Sequence, residues 1–275
     1  MSGFSVTVEG EADGPRVLLL HGFPQDLGCW DAVVGLLVGA GFCCARFDQR
    51  GYDPAVRPVE VADYALPLLV ADAVEVLDQL GWSDALVVGH DWGSVVAWGL
   101  AAWHPERVRG LVAVSVPHPG AYSRALASDP DQQARSAYIG LFRQPDGRAE
   151  EVLLADRGRR LRAAYGDVPA AAVERYVARF LEPGAMTAAL AWYRAMDRMT
   201  FAAMEPVTVP TRFVWGTEDV AVGRTAAESC SEFVTGDYAL VELPGVSHWV
   251  PESAPESVVA AVAAVHSLAS THPPS

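Results

Sequence analysis

Apolar and polar positions follow two alternating periodicities along most of the chain, and this pattern predicts strands separated by helices. Short apolar runs typical of buried strands lie at 16–20, 42–47, 85–88, 108–116, 209–215 and 238–243. Apolar residues at helical spacing lie at 30–37, 66–80, 94–104 and 255–268. Residues 4–9 alternate as expected for an antiparallel edge strand. The strand–helix–strand order predicts an α/β fold with a doubly wound, mostly parallel sheet.

The pattern changes after Pro119, where no further buried strand is predicted until about residue 206. Amphipathic stretches lie instead around 135–142, 149–161, 170–180 and 185–199. We therefore expect an all-helical lid at 120–205, inserted into a core formed by 1–119 and 206–275. The tail at 271–275 is expected to fray.

Composition narrows the class of protein. The 275 residues are 51% hydrophobic and 20% charged, as in a soluble globular enzyme, and no apolar window is long enough to predict a membrane span. The first residues lack a basic segment before an apolar run, so no secretion signal is expected and a cytoplasmic location is predicted. A net charge of −14 disfavours nucleic acid and anionic membranes as partners.

The residue types also limit the chemistry. All 20 basic residues are arginine, which excludes a lysine Schiff base. The four cysteines and seven histidines show no zinc-type spacing, so neither a metal nor another cofactor is expected.

The candidate nucleophile is Asp91 in the segment Gly89-His90-Asp91-Trp92-Gly93, between a predicted strand and a predicted helix. Glycines on both sides allow the tight turn of a nucleophile elbow. A carboxylate attacks carbon without first losing a proton, and attack at sp³ carbon gives an alkyl ester. The residue therefore favours epoxide opening or halide displacement over the acyl transfer of serine hydrolases.

Hydrolysis of such an ester requires a base, and His248 follows the last predicted strand. Asp219 follows the preceding predicted strand and is expected to orient His248, with Glu218 as the alternative acid. His21 and His90 flank the loop at 21–24 and the elbow, where we expect them to support the backbone.

Five segments together carry a resemblance to a known family: HGFP (21–24), DQRGY (48–52), GHDWG (89–93), WGTED (215–219) and SHW (247–249). The chain resembles the epoxide hydrolases of the α/β-hydrolase superfamily along essentially its whole length. The resemblance implies a covalent ester on Asp91 and an oxyanion hole formed by the N–H groups of Phe23 and Trp92.

The same resemblance implies two lid tyrosines that donate hydrogen bonds to the epoxide oxygen. Tyr193 stands in the segment Ala-Trp-Tyr-Arg at 191–194, and Tyr138 stands seven residues before Pro145. We further expect Trp192 and Trp249 to contact the substrate. Ala191 in place of asparagine and the Asp-Pro-Ala sequence at 53–55 depart from the family pattern and leave the shape of the pocket open.

Two other functions remain open at this point. A haloalkane dehalogenase has the same aspartate nucleophile and would bind the halide through two N–H groups, here those of Trp92 and Trp192. A non-catalytic ligand-binding member of the fold is a further alternative. The expected partner is a small-molecule epoxide of unknown identity, and a homodimer is left open.

Overall fold

A computed structural model describes residues 3–271, and the predicted frayed tail beyond Thr271 lies outside the described residues. These residues form a seven-stranded sheet in the order β1-β3-β2-β4-β5-β6-β7. The strands are β1 Val6–Glu9, β2 Arg16–Leu20, β3 Cys43–Phe47, β4 Ala85–His90, β5 Val108–Val114, β6 Thr211–Gly216 and β7 Tyr238–Leu243. Only the edge strand β1 is antiparallel to its neighbour, so the mostly parallel sheet predicted from the sequence is confirmed.

The helices occupy three successive parts of the chain. Before β5 lie α1 Asp31–Gly39, α2 Leu66–Gln79 and α3 Trp92–Trp103. Between β5 and β6 lie α4 Pro119–Ser128, α5 Pro130–Arg135, α6 Tyr138–Phe142, α7 Arg148–Ala164, α8 Ala170–Phe180, α9 Ala185–Arg194 and α10 Arg198–Ala202. After β6 lie α11 Arg224–Glu228, α12 Val250–Ser253 and α13 Pro255–Thr271.

The strand order places the helices on both faces of the sheet. In the sheet, β3 lies on one side of β2 and β4 lies on the other, so the connections β2–β3 and β3–β4 run in opposite directions. Because both crossovers are right-handed, α1 and α2 lie on opposite faces of the sheet. In agreement, α1 contacts α13 while α2 contacts α3. The central strands are buried on both faces, which explains why their sequences are apolar without alternation.

Several predicted borders are wrong in the helical segment between β5 and β6. The stretch 135–142 is split between α5 and α6, and 185–199 is split between α9 and α10 because Asp197 caps a new helix by accepting the N–H groups of Met199 and Thr200. Helix α4 was not predicted, and α7 is interrupted at residues 155–158 by non-helical backbone.

The strand ends explain where a site can form. Strands β2, β4, β5, β6 and β7 are consecutive neighbours and parallel, so their carboxyl ends lie at one edge of the sheet. In open α/β sheets this edge is where ligands bind. Within residues 3–271, no helix is both long and apolar enough to span a bilayer.

Candidate active site

Asp91 lies in a sharp turn between β4 and α3. Its backbone has φ 53° and ψ −120°, a conformation that costs free energy for a residue other than glycine and is found mainly at functional sites. The turn brings α3 so close to β2 that a Cβ on Gly93 would lie 2.0 Å from the carbonyl oxygen of Leu20. Glycine at 93 therefore permits the elbow that the sequence predicted.

Two groups contact the Asp91 carboxylate. The backbone N–H of Phe23 donates to Oδ1 at 2.7 Å, and Nε2 of His248 lies 3.5 Å from Oδ2. The loop after β2 can approach this closely because residue 22 is glycine, where a Cβ would lie 2.3 Å from the Asp91 Cβ. Asp91 as a residue is 7% exposed. It is therefore held by an amide and an imidazole at the bottom of the site.

Asp219 is the acid that contacts His248. Its Oδ2 lies 2.7 Å from Nδ1 of His248, and its Oδ1 accepts the backbone N–H groups of Ala221 and Val222. Asp219 is fully buried, whereas the alternative acid Glu218 is exposed. Asp91, His248 and Asp219 thus form one connected array at the ends of β4, β7 and β6.

The charges in this array favour a protonated imidazole. Burial alone would lower the pKa of His248, but the carboxylates of Asp219 and Asp91 outweigh burial and raise this pKa to about 10. With both carboxylates ionised, His248 therefore carries a proton at neutral pH and cannot yet act as a base.

The backbone of His248 is fixed by two buried donors. Nε2 of His90 donates to the His248 carbonyl oxygen at 2.9 Å, and the Ser115 hydroxyl donates to the same oxygen at 2.8 Å. Burial lowers the pKa of His90 to about 4, so its ring is neutral. Ser115 has φ 66°, which also explains why β5 ends at Val114 and not at residue 116 as predicted.

His21 supports the loop that carries Phe23. Burial lowers the pKa of His21, and its neutral Nε2 accepts the Gln49 backbone N–H at 3.1 Å. The Gln49 side-chain amide in turn donates to the His21 carbonyl at 2.5 Å. These bonds join the 21–24 and 48–52 segments, a supporting role that the sequence predicted for this histidine.

A cavity above Asp91 contains about 480 Å³ of empty space, part of which is open to solvent at the mouth. Tyr138 and Tyr193 lie in its wall with their rings 6.3 Å apart and nearly perpendicular. Burial raises the pKa of both hydroxyls well above the usual value, so both are protonated at neutral pH. The rest of the lining is Trp92, Val95, Val116, Pro119, Tyr122, Ile139, Met196, Phe201, Ala221 and Val222.

The structure does not bring Trp192 or Trp249 into this cavity, contrary to our expectation of substrate contact. The indole N–H of Trp192 donates to the Arg50 carbonyl at 2.9 Å, and that of Trp249 donates to the Ala164 carbonyl at 3.2 Å. Neighbouring residues of a helix point about 100° apart, so Tyr193 faces the cavity while Trp192 packs against the core. The haloalkane dehalogenase alternative requires the N–H groups of Trp92 and Trp192 to bind one halide, and the structure does not bring both into the cavity.

Sequence reasoning also missed the groups that hold the loop after β6, which carries Asp219. Gln132 in α5 is fully buried; its side-chain amide donates to the Ala221 carbonyl at 2.8 Å and accepts the Gly223 N–H at 2.8 Å. The Arg135 guanidinium donates to the Asp219 carbonyl oxygen. In the sequence, Gln132 and Arg135 are simply two polar residues on a short helix, and this pattern is equally typical of a helix face exposed to solvent.

Comparison with known proteins agrees with this geometry. The α/β hydrolase fold family matches residues 15–255. Epoxide hydrolase A of Mycobacterium tuberculosis is 31% identical, with 94% of this chain and 92% of the relative covered. The AB hydrolase superfamily protein YfhM of Bacillus subtilis is 35% identical, with 92% and 90% covered.

The crystal structure of Epoxide hydrolase A from Mycobacterium thermoresistibile superposes with a TM-score of 0.82 at 30% identity, covering 94% of this chain and 93% of that one. The similarity in sequence and the similarity in fold both extend over nearly the full length of this chain. The chain belongs to the epoxide hydrolase family of the α/β-hydrolase superfamily.

Proposed function

We propose that the protein hydrolyses an epoxide to a vicinal diol through a covalent alkyl ester on Asp91. The observation that carries the proposal is the array of Asp91, His248 and Asp219, in which the nucleophile is a carboxylate and the base lies 3.5 Å from it. Similarity to Epoxide hydrolase A of M. tuberculosis supports the same activity.

In the first step, an oxygen of Asp91 attacks an epoxide carbon and the C–O bond to that carbon breaks. The oxygen that leaves accepts a proton from the hydroxyl of Tyr138 or Tyr193, both in the cavity wall. Because burial keeps these phenols protonated, they are suited to act as the acid. Esterification removes the charge on Asp91, so the pKa of His248 falls. The proton that His248 releases replaces the one that the tyrosine gave to the alkoxide, which restores the phenol.

In the second step, neutral His248 takes a proton from water, and the resulting hydroxide attacks the carboxyl carbon of the ester. Asp219 stabilises the imidazolium that forms. The N–H of Phe23, which donates to Oδ1 in the resting state, and that of Trp92 would stabilise the tetrahedral oxyanion. Collapse of this intermediate breaks the bond to the diol oxygen, which takes the proton of the new Asp91 carboxyl group. The diol is released, and ionised Asp91 and protonated His248 are restored.

The helices between β5 and β6 would act as a lid over this chemistry. They supply both tyrosines, and their apolar side chains account for much of the cavity wall. An apolar site that is covered on one side admits less bulk water, which strengthens the electrostatic interactions on which the mechanism depends.

The proposal is tested with His248→Gln and an aryl or alkyl epoxide. Attack by Asp91 needs no base and ester hydrolysis does, so we expect intact-protein mass spectrometry to show the enzyme plus one substrate mass, with multiple turnover lost. His104→Gln, at a partly exposed position after α3, is the matched control and should turn over normally. Turnover by the His248 variant at the wild-type rate would contradict the assigned base.

A further inference from the structure

Gln25 and Glu252 form a hydrogen-bonded polar pair that the proposed mechanism does not use. Gln25 is fully buried and lies two residues after Phe23, while Glu252 lies in α12, four residues after His248. The side-chain amide of Gln25 donates to Oε1 of Glu252 at 2.5 Å, and the Tyr176 hydroxyl donates to the same oxygen at 2.9 Å. The pair therefore joins the segment that carries Phe23 to the segment that carries His248.

Each member of the pair has one buried oxygen left over. Among the described residues, Oε1 of Gln25 and Oε2 of Glu252 have no hydrogen-bond partner. If the carboxyl group is ionised, both atoms are acceptors without a donor, which is unfavourable in a buried place. A proton on Oε2 changes this, because the protonated oxygen can donate to Oε1 of Gln25. The amide and the neutral carboxyl group then share two hydrogen bonds, one in each direction.

The opposite orientation of the Gln25 amide requires a proton on Glu252 as well. Exchanging the nitrogen and the oxygen of the amide would place two oxygens 2.5 Å apart. Oxygens approach this closely when one of them donates a hydrogen to the other, and Glu252 is the member that can carry this hydrogen. A protonated Glu252 therefore satisfies the pair in both orientations.

The surroundings of Glu252 agree with a neutral carboxyl group up to about neutral pH. Burial raises the pKa of Glu252 to about 7. Burial outweighs the groups that favour the ionised form, which are the Tyr176 hydroxyl, the backbone N–H of Glu252, the Gln25 amide and the Arg175 guanidinium.

The other charged and titratable groups around the pair do not reverse this preference. The positive charge of Arg175 is shared with Asp26 and Asp31, whose carboxylates lie 3.7 and 3.3 Å from its guanidinium. Burial raises the pKa values of Cys29 and Tyr165 well above their usual values, so both groups are neutral at neutral pH. Glu252 is therefore the group of this cluster that changes its charge near pH 7.

The charge of Glu252 can act on Phe23 through the backbone. The backbone N–H of Gln25 donates to the Gly22 carbonyl at 3.0 Å and closes a turn that contains Phe23. The N–H of Phe23 in turn donates to Asp91 at 2.7 Å. An ionised Glu252 has no hydrogen to donate to Oε1 of Gln25 and repels that oxygen. The turn that presents the Phe23 N–H is then held less firmly.

We propose that a neutral Glu252 carboxyl group and the Gln25 amide share two hydrogen bonds and thereby position the Phe23 N–H. Loss of the proton from Glu252 loosens this N–H in the oxyanion hole and slows hydrolysis of the ester. Gln25 and Glu252 are thus positioning residues whose effect depends on pH. The effect on ester hydrolysis rests on the proposed function, whereas the protonated pair does not.

The first test follows NMR signals of the isotope-labelled protein without substrate, from about pH 5 to about pH 9. The carboxyl carbon of Glu252 and the amide of Phe23 should titrate together with a midpoint of about 7, well above the usual value of about 4.3 for the carboxyl group. Glu252→Gln offers Gln25 a donor and an acceptor at every pH, so its Phe23 amide should lose this step. Glu256→Gln, at an exposed position in α13, is the matched control and should keep it.

The second test measures the decay of the alkyl ester formed from 1,2-epoxyoctane in single-turnover, stopped-flow experiments. The rate of Glu252→Gln is divided by the wild-type rate at each pH, so that the titration of His248 cancels. We expect this ratio to rise about 3- to 10-fold between about pH 6 and about pH 8, the value of one neutral hydrogen bond. The same ratio for Glu256→Gln should stay constant.

A Glu252 midpoint near the usual value would overturn the inference, and so would a Phe23 amide that titrates identically in Glu252→Gln and the wild type. A constant ratio of ester decay rates would overturn the positioning role. If Glu252→Gln does not fold, the wild-type titration decides, because different midpoints for Glu252 and Phe23 would contradict the proposed link. A wild-type enzyme that opens no epoxide would instead refute the proposed function, and the NMR titration would still decide on the pair.

Discussion

At the scale of single residues, the site combines groups whose protonation states complement one another. Tyr138 and Tyr193 remain protonated because burial raises their pKa, while His248 is protonated because two carboxylates face it. In the proposed mechanism, the phenols serve as acids in the first step, and His248 becomes a base only after Asp91 is esterified. In this mechanism, the charge on the Asp91 carboxylate therefore determines when His248 can act as a base.

The two phenols can be tested separately from the base. Tyr138→Phe and Tyr193→Phe each remove one donor to the developing alkoxide, and each should slow epoxide opening. Loss of one oriented donor to such a charge typically costs about 10²-fold or more, although the second phenol can compensate in part. We expect the double variant to be much slower than either single variant in stopped-flow measurements of ester formation. Normal ring opening by the double variant would place the acid elsewhere.

At the scale of elements, helix α5 holds the loop that carries Asp219. Gln132 of α5 bonds to the backbone at both Ala221 and Gly223, directly beyond the turn in which Asp219 accepts two N–H groups. Buried polar contacts therefore join α5 to the loop that follows β6.

Gln132→Leu should destabilise the protein because it leaves the Ala221 carbonyl and the Gly223 N–H without partners. The expected loss in the free energy of unfolding is about 1–3 kcal/mol, measured by urea denaturation. The side chain of the neighbouring Gln133 is exposed and donates to the Leu126 carbonyl, so Gln133→Leu is the matched control and should stay within about 0.5 kcal/mol of the wild type. Equal effects of the two substitutions would argue against a specific role for the buried amide.

The elements also show what a sequence can and cannot predict. Asp91, His248 and Asp219 were identifiable because each follows an apolar strand, and parallel strands bring their carboxyl ends together. Ser115 and Gln132 were not, because their partners lie 133 and 89 residues away and no local pattern reports such contacts. Trp192 was misplaced because a motif gives the order of residues but not the direction in which each side chain points.

At the scale of the whole molecule, the buried ion array makes folding stability depend on pH. The folded-state pKa of His248 is about 10, and the usual value for an unfolded histidine is about 6.5. Between these values the folded protein binds a proton that the unfolded chain does not. The contribution of His248 is therefore complete below about pH 6.5 and is lost as the pH rises through 10.

Unfolding by urea at a series of pH values should show this loss. We expect the free energy of unfolding to fall by at most about 1.4 kcal/mol per pH unit from this group in that range. The His248→Gln variant serves as the reference, since it lacks the titrating imidazole but keeps the other groups. Parallel curves for the wild type and the variant would contradict the assigned charge state.

The central claim is that Asp91 forms a covalent ester with the substrate, and the origin of the diol oxygen tests it directly. With enzyme in excess over epoxide in ¹⁸O-water, a single turnover should give an almost unlabelled diol, because the new hydroxyl oxygen comes from the Asp91 carboxylate. A peptide containing Asp91 should gain the label in the same sample, as read by mass spectrometry after proteolysis. A diol that carries one ¹⁸O atom after that first turnover, with Asp91 unlabelled, would mean that water attacks the epoxide directly and would contradict the covalent mechanism.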